Sequence, residues 1–331
     1  RPIAIHGHER PITKIKYNKD GDLLFSAAKN RTANVWFTKT GELLGCFGET
    51  QFAKGHSGTI WDIDISNDSR KFLTASADST CILWDSYNGK EICQIEGDNM
   101  VRSCGISQCA NLVFFTTHTS MGKISTLKIV DVRVPTQIQG KEAILEYQKD
   151  AKDSITAAIW GPLDQTVICG YASGSLNMID ARTGKLLIDT KPHSHLITDI
   201  QMHEDQTMFI TTSKDCTAKL IDSLELTEFT TYNSERPINS GSISPNQPHV
   251  ILAGGQEAED VTLSKSSGKF DSRLYHMIYS EEFGQIKGHF GPVNSLQFSP
   301  DGKGFASGGE DGYFRLHTFD PDYYQIDAKI F

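Results

Sequence analysis

One segment recurs along this chain at a regular period, and that recurrence constrains the fold more than any other feature. Gly55-His56-Ser57-Gly58-Thr59-Ile60 leads through alternating apolar residues to Ala77-Asp78 and then to Leu83-Trp84-Asp85. The same template aligns His8 with Asn30 and Trp36, His193 with Asp215 and Ile221-Asp222, and His289 with Asp311 and His317. Weaker copies run from Val101 to Val130-Asp131, from Ile155 to Ile179-Asp180, and onward from Ile238. The anchors fall near residues 8, 56, 97, 151, 193, 234 and 289, about 47 residues apart on average, which makes seven units. Within a unit the apolar residues alternate with period two, as in Trp61, Ile63 and Ile65, so the elements are half-buried strands rather than helices. Asn18-Lys19-Asp20-Gly21, Ser66-Asn67-Asp68-Ser69 and Ser299-Pro300-Asp301-Gly302 each suit a tight reversal between strands. A length of 331 residues would ordinarily suggest two domains. Repeats that bury their faces only against one another predict a single closed unit instead.

A unit of this length, with His near its start and Trp-Asp at a strand end, is similar to the WD repeat. The expected fold is therefore all-β: a seven-bladed WD-repeat β-propeller over residues 1–331, closed by the N-terminal strand. Pro2-Ile3-Ala4-Ile5 sits where a strand of the preceding blade belongs, and the last unit's third strand is expected to end near Phe319. Such closure removes a sheet edge that would otherwise invite aggregation. In WD blades the spacing of His56, Thr74, Asp78 and Trp84 forms a buried hydrogen-bonded chain from indole through hydroxyl and imidazole to carboxylate. The first unit keeps His8, Ser26, Asn30 and Trp36. The fifth keeps His193, Thr211 and Asp215 with Ile221 in the Trp place, and the seventh keeps His289, Ser307 and Asp311 with His317 there. Recurrence at repeat spacing favours an architectural role for these residues over a catalytic one. Units three, four and six lack most of the set and rely on apolar packing.

Formal net charge is −9 with a pI near 5.7, which supplies no global field for phosphate backbones or anionic lipid. Partners are expected to be proteins, with no tight autonomous nucleic-acid binding and no membrane association. The seven cysteines are scattered and lack zinc-like pairing, as suits buried thiols in a reducing compartment. No stretch reaches 18 consecutive apolar residues and no signal-peptide core is visible, while Arg1 suggests a trimmed initiator end; a cytoplasmic protein is expected. The sequons at Asn30 and Asn67 would then stay unmodified. No phosphate-cradling glycine motif or G-x-S-x-G elbow is present, and His193-Ser194-His195 lacks a third ligand. No catalytic residue, metal or cofactor is expected.

The sixth unit departs from its repeat by an insertion at about 255–270, either a plain solvent loop or a functional one. Around it stand Gly254-Gly255-Gln256-Glu257-Ala258, Arg273-Leu274-Tyr275-His276, Gly288-His289-Phe290-Gly291-Pro292 and Ser307-Gly308-Gly309-Glu310-Asp311-Gly312. With Gly7-His8-Glu9-Arg10-Pro11 near the start, these runs resemble the i subunit of eukaryotic translation initiation factor three over nearly the whole chain. The resemblance implies a non-catalytic scaffold in the complex that recruits messenger RNA and initiator to the small ribosomal subunit. It further implies two partners, a C-terminal helix of the b subunit and an N-terminal segment of the g subunit. The acidic positions that would meet the b-subunit helix match Asp205 and Asp222. Each also has a plain reading, Asp205 as a turn residue and Asp222 as the Asp of a WD strand end. The alternative function is a WD-repeat adaptor in another assembly, such as a receptor-associated or ubiquitin-ligase substrate module.

Overall fold

A computed structural model of the chain describes residues 2–48, 54–120, 122–134, 143–149, 153–255 and 270–326. These residues form seven four-stranded antiparallel sheets. The innermost strands are Ile12–Tyr17, Ile60–Ile65, Val101–Ile106, Ile155–Trp160, Ile197–Met202, Ile238–Ile243 and Val293–Phe298. Each packs against its counterpart in the sheets on either side, and the last meets the first, so the sheets stand as blades around one axis. Every innermost strand bulges between its first and third residues, which adds the local twist a radial sheet needs.

Burial follows from this arrangement. A middle strand such as Thr80–Asp85 is buried on both faces because neighbouring blades cover both, whereas outer strands such as Glu42–Phe47 are largely exposed. The apolar core is a series of wedges between adjacent blades: Phe25 and Phe47 of the first blade, for example, pack with Ile63, Phe72 and Trp84 of the second. The hairpins after six of the seven innermost strands contain a left-handed residue. Gly21 and Gly302 supply it at no steric cost, while Ser69 and Gln206 take the same conformation elsewhere.

The ring closes through the first strand. Ile3–His6 pairs antiparallel with Tyr313–Thr318, Ile3 opposite Leu316 and His6 opposite Tyr313, and so forms the outer strand of the seventh blade. The chain then continues past Phe319 into a short 3-10 turn, Pro321–Gln325, absent from the repeat template. Its Tyr323 stacks on Phe319 at 3.9 Å between centroids and hydrogen-bonds His249 of the sixth blade at 2.8 Å, bracing the last two blades together. The anchor near 151 and residues 256–269 of the insertion lie outside the described residues. No helix among the described residues is long and apolar enough to cross a membrane.

Deleting residues 1–6 should expose the Tyr313–Thr318 edge and open the ring. The expected result is a melting temperature lower by roughly 5 °C or more, with soluble oligomers on size-exclusion chromatography; an unaltered monomer of unaltered stability would refute closure by this strand.

Candidate functional site

In the second blade Trp84 Nε1 donates to Thr74 Oγ1 at 2.9 Å, Thr74 Oγ1 lies 2.7 Å from His56 Nε2, and His56 Nδ1 lies 3.0 Å from Asp78 Oδ2. Because a carboxylate only accepts, His56 Nδ1 donates to Asp78, and the neutral ring then accepts the Thr74 hydroxyl proton at Nε2. Asp78 also accepts from the Ser57 N–H at 2.8 Å and so ties the entering loop to the blade. Burial opposes ionisation of Asp78, but bonds from His56 and Thr80 hold its carboxyl well below the usual range. The fifth blade repeats the lower half, with His193 against Thr211 at 2.9 Å and Asp215 at 3.1 Å; Ile221 leaves the hydroxyl without an indole. Both ring nitrogens of His193 are thereby engaged, and no cluster of three potential metal ligands occurs among the described residues.

Two blades modify the chain. In the first, His8 Nε2 meets Ser26 at 2.8 Å and Trp36 donates to the same hydroxyl at 2.9 Å, but His8 Nδ1 is buried without a hydrogen-bond partner among the described residues. Burial pushes the His8 pKa down to about 4. In the seventh, His289 meets Ser307 at 2.8 Å and Asp311 at 3.3 Å, and Arg315 adds itself, 2.5 Å from His289 Nδ1 and 3.1 Å from Asp311. His289 Nδ1 therefore faces an obligate acceptor, Asp311, and an obligate donor, Arg315, at once, whereas His56 Nδ1 has no cation beside it among the described residues. His317, at the Trp position, stacks on Phe305 at 4.4 Å with 3° between planes, and burial pushes its pKa down to about 4. The repeat template did not single out Arg315; its alternation with Tyr313 and His317 was the available signal.

The turns that carry Asp205 and Asp222 are tied together, since Ser223 donates through Oγ to the Gln206 carbonyl at 2.6 Å and through N–H to that of Thr207 at 3.0 Å. Asp205 Oδ1 accepts from Thr207 N–H at 3.0 Å and Oγ1 at 2.8 Å, and His203 Nδ1 lies 2.7 Å away. Asp222 Oδ1 accepts from the N–H groups of Leu224 at 2.7 Å and Glu225 at 2.8 Å. Asp85 and Asp180 cap equivalent turns in the same way, so this much is a repeat feature. Only Oδ1 is used at either position; Oδ2 of each has no protein partner among the described residues. Exposed Glu204 and Glu225 flank the pair, together with Leu224 at 68% exposure and Leu163 at 71%. Leu163 belongs to the fourth blade and its N–H donates to Gln206 Oε1 at 3.1 Å, so the face spans two blades.

A third polar system, missed in the sequence because its members are scattered by the period, lines the axis. Lys14 Nζ of the first blade reaches Asp199 of the fifth at 2.6 Å and Asp62 at 4.0 Å, and Lys16 pairs with Asp64. Burial alone would lower the Lys14 pKa, yet Asp199 and Asp62 hold it above the usual value.

Trp84→Ala should destabilise the protein by roughly 3–5 kcal/mol through the cavity it leaves, read by chemical denaturation; a loss under 1 kcal/mol would be inconsistent with its buried place. The depressed pKa values of His8 and His317 mean that the unfolded chain binds more protons than the fold between about pH 6.5 and 4. Their stabilising share is complete above pH 6.5 and is lost as pH falls toward 4. His317→Phe, which keeps the stack on Phe305, should reduce the loss over that window by about 1–3 kcal/mol; an unaltered pH slope would count against this origin.

The family model described as EIF3I matches residues 1–329. The chain is 47% identical over 330 residues to eukaryotic translation initiation factor 3 subunit I of Xenopus tropicalis, and 46% identical over 331 residues to that of Homo sapiens. In both comparisons 99% of each chain is covered. In three dimensions it is similar to the crystal structure of the β-propeller domain of Cps50 (Swd1) from Myceliophteria thermophila. That likeness has a TM-score of 0.79 at 18% identity and covers 97% of this chain and all of that one.

Proposed function

The chain belongs to the family of eukaryotic translation initiation factor 3 subunit I, and from that premise we propose that it is a non-catalytic scaffold of the initiation factor 3 complex, holding a basic helix on the face around Asp205 and Asp222. The observation that carries this reading is that Asp205 and Asp222 sit on two turns tied by Ser223, each with Oδ1 committed to its own turn and Oδ2 without a partner among the described residues. An arginine on a partner helix would take a charge-assisted bond there, and Leu163 and Leu224 offer apolar area to an aromatic anchor beside it. The occupant proposed is the C-terminal helix of the b subunit, with the N-terminal segment of the g subunit on a separate surface. The small ribosomal subunit is reached through the assembled complex in the cytoplasm. The hydrogen-bonded His and Asp residues then serve blade architecture, with their ring nitrogens and carboxylates committed to one another.

Because Oδ1 of each residue caps a turn, Lys at these positions would damage the fold as well as the face. Asn keeps the caps and removes the charge. The double variant Asp205→Asn/Asp222→Asn should weaken binding of the b-subunit helix at least tenfold while melting as the parent does, read by calorimetry and thermal denaturation. Parent-like affinity would remove this face from the interface. Co-purification of the intact chain with stoichiometric ligase or receptor components in place of initiation-factor subunits would favour the adaptor reading.

A further inference from the structure

At the second residue of each innermost strand the side chain can tie its blade to the next. Thr13 Oγ1 donates to the Ile60 carbonyl at 2.7 Å, Thr156 to Ile197 at 2.6 Å and Thr198 to Ile238 at 2.7 Å. Asn239 Nδ2 donates to Val293 at 3.0 Å and Asn294 Nδ2 to Ile12 at 2.8 Å. Two places break the pattern: the second blade has Trp61 and the third has Arg102. These two side chains lie on each other, with the guanidinium carbon 4.4 Å from the indole centroid, and both line the axial cavity. Among the described residues Arg102 has no hydrogen bond or ion pair, and the buried Trp61 Nε1–H has no acceptor. Asp62, whose field reaches Arg102, is already taken up by Ser103 Oγ at 2.7 Å, Cys104 N–H at 3.1 Å and Lys14.

A half-buried guanidinium without a counter-ion is unfavourable, and removing two blade-to-blade ties to place it there costs more. Stacking occupies the flat face of the guanidinium and leaves its N–H groups at the edge, a fork that matches the two oxygens of a carboxylate. The cavity also holds Asp62, Asp64 and Asp199, but Lys14 and Lys16 pair with them. The net charge of −9 repels a multiply charged phosphate chain more than a single carboxylate on a slender stem. We propose that Arg102, backed by Trp61, is a binding site for an acidic side chain of a partner polypeptide inserted into the axial cavity beside the second and third blades. Arg102 lies near the start of its innermost strand, whereas Asp205, which lines the same axial cavity, follows the end of one, so the two sites stand toward opposite ends of the cavity.

Indole resonances of the ¹⁵N-labelled full chain test this, since the chain has four tryptophans and Trp61→Phe identifies the one concerned. Titration with a capped Asp-Glu-Asp tripeptide should shift the Trp61 signal saturably, and the Asn-Gln-Asn counterpart should not. Arg102→Gln should weaken the response at least tenfold with the other three indole signals in place. Arg102→Lys, which keeps the charge without the fork, should fall between. Absence of a saturable shift, an equal shift in Arg102→Gln, or an equal response to inorganic phosphate or a single-stranded RNA oligonucleotide would overturn the assignment.

Discussion

Antiparallel pairing of Ile3–His6 with Tyr313–Thr318 joins the first strand to the last sheet, and the rest of the ring depends on that closure. A blade's middle strands are apolar on both faces, so each sheet is stable only while neighbours cover both sides. With the ring closed, every wedge of core has two walls. Left open, the first and seventh blades would each show water an uncovered face and an unpaired edge.

Within that frame the polar chains are local devices, and their differences follow from what each blade offers. The second blade has indole, hydroxyl, imidazole and carboxylate in sequence, and every donor finds an acceptor. The first lacks the carboxylate, so His8 stays neutral with one nitrogen unsatisfied. The seventh lacks the indole and gains Arg315, which reaches both the imidazole and the carboxylate. Blades three, four and six are held largely by aromatic and aliphatic wedges such as Phe114 against Trp160.

The two binding sites proposed above draw on what the architecture leaves over. The Asp205–Asp222 face has carboxylate oxygens not spent on turns, and the axial cavity has a guanidinium not spent on an ion pair. Both are the kind of residue a satisfied fold has no need to keep.

Repeat period, strand alternation and turn composition are local properties of the chain, so the seven-bladed fold and its closing strand could be read from residues alone. The His, hydroxyl and Asp positions were legible for the same reason: they recur at one spacing, as His56, Thr74 and Asp78 do in His193, Thr211 and Asp215. What the chain order could not convey is which residues far apart in it share a surface. Lys14 and Asp199 meet across the axis only because the ring brings the first and fifth blades face to face. Arg102 stacks on Trp61 because adjacent innermost strands align equivalent positions, and Arg315 enters the seventh chain because its strand points it inward. Asp205 and Asp222 came together from the family resemblance; the bonds that tie their turns and commit one oxygen of each are decided by hairpin register, a tertiary fact with no signature in spacing.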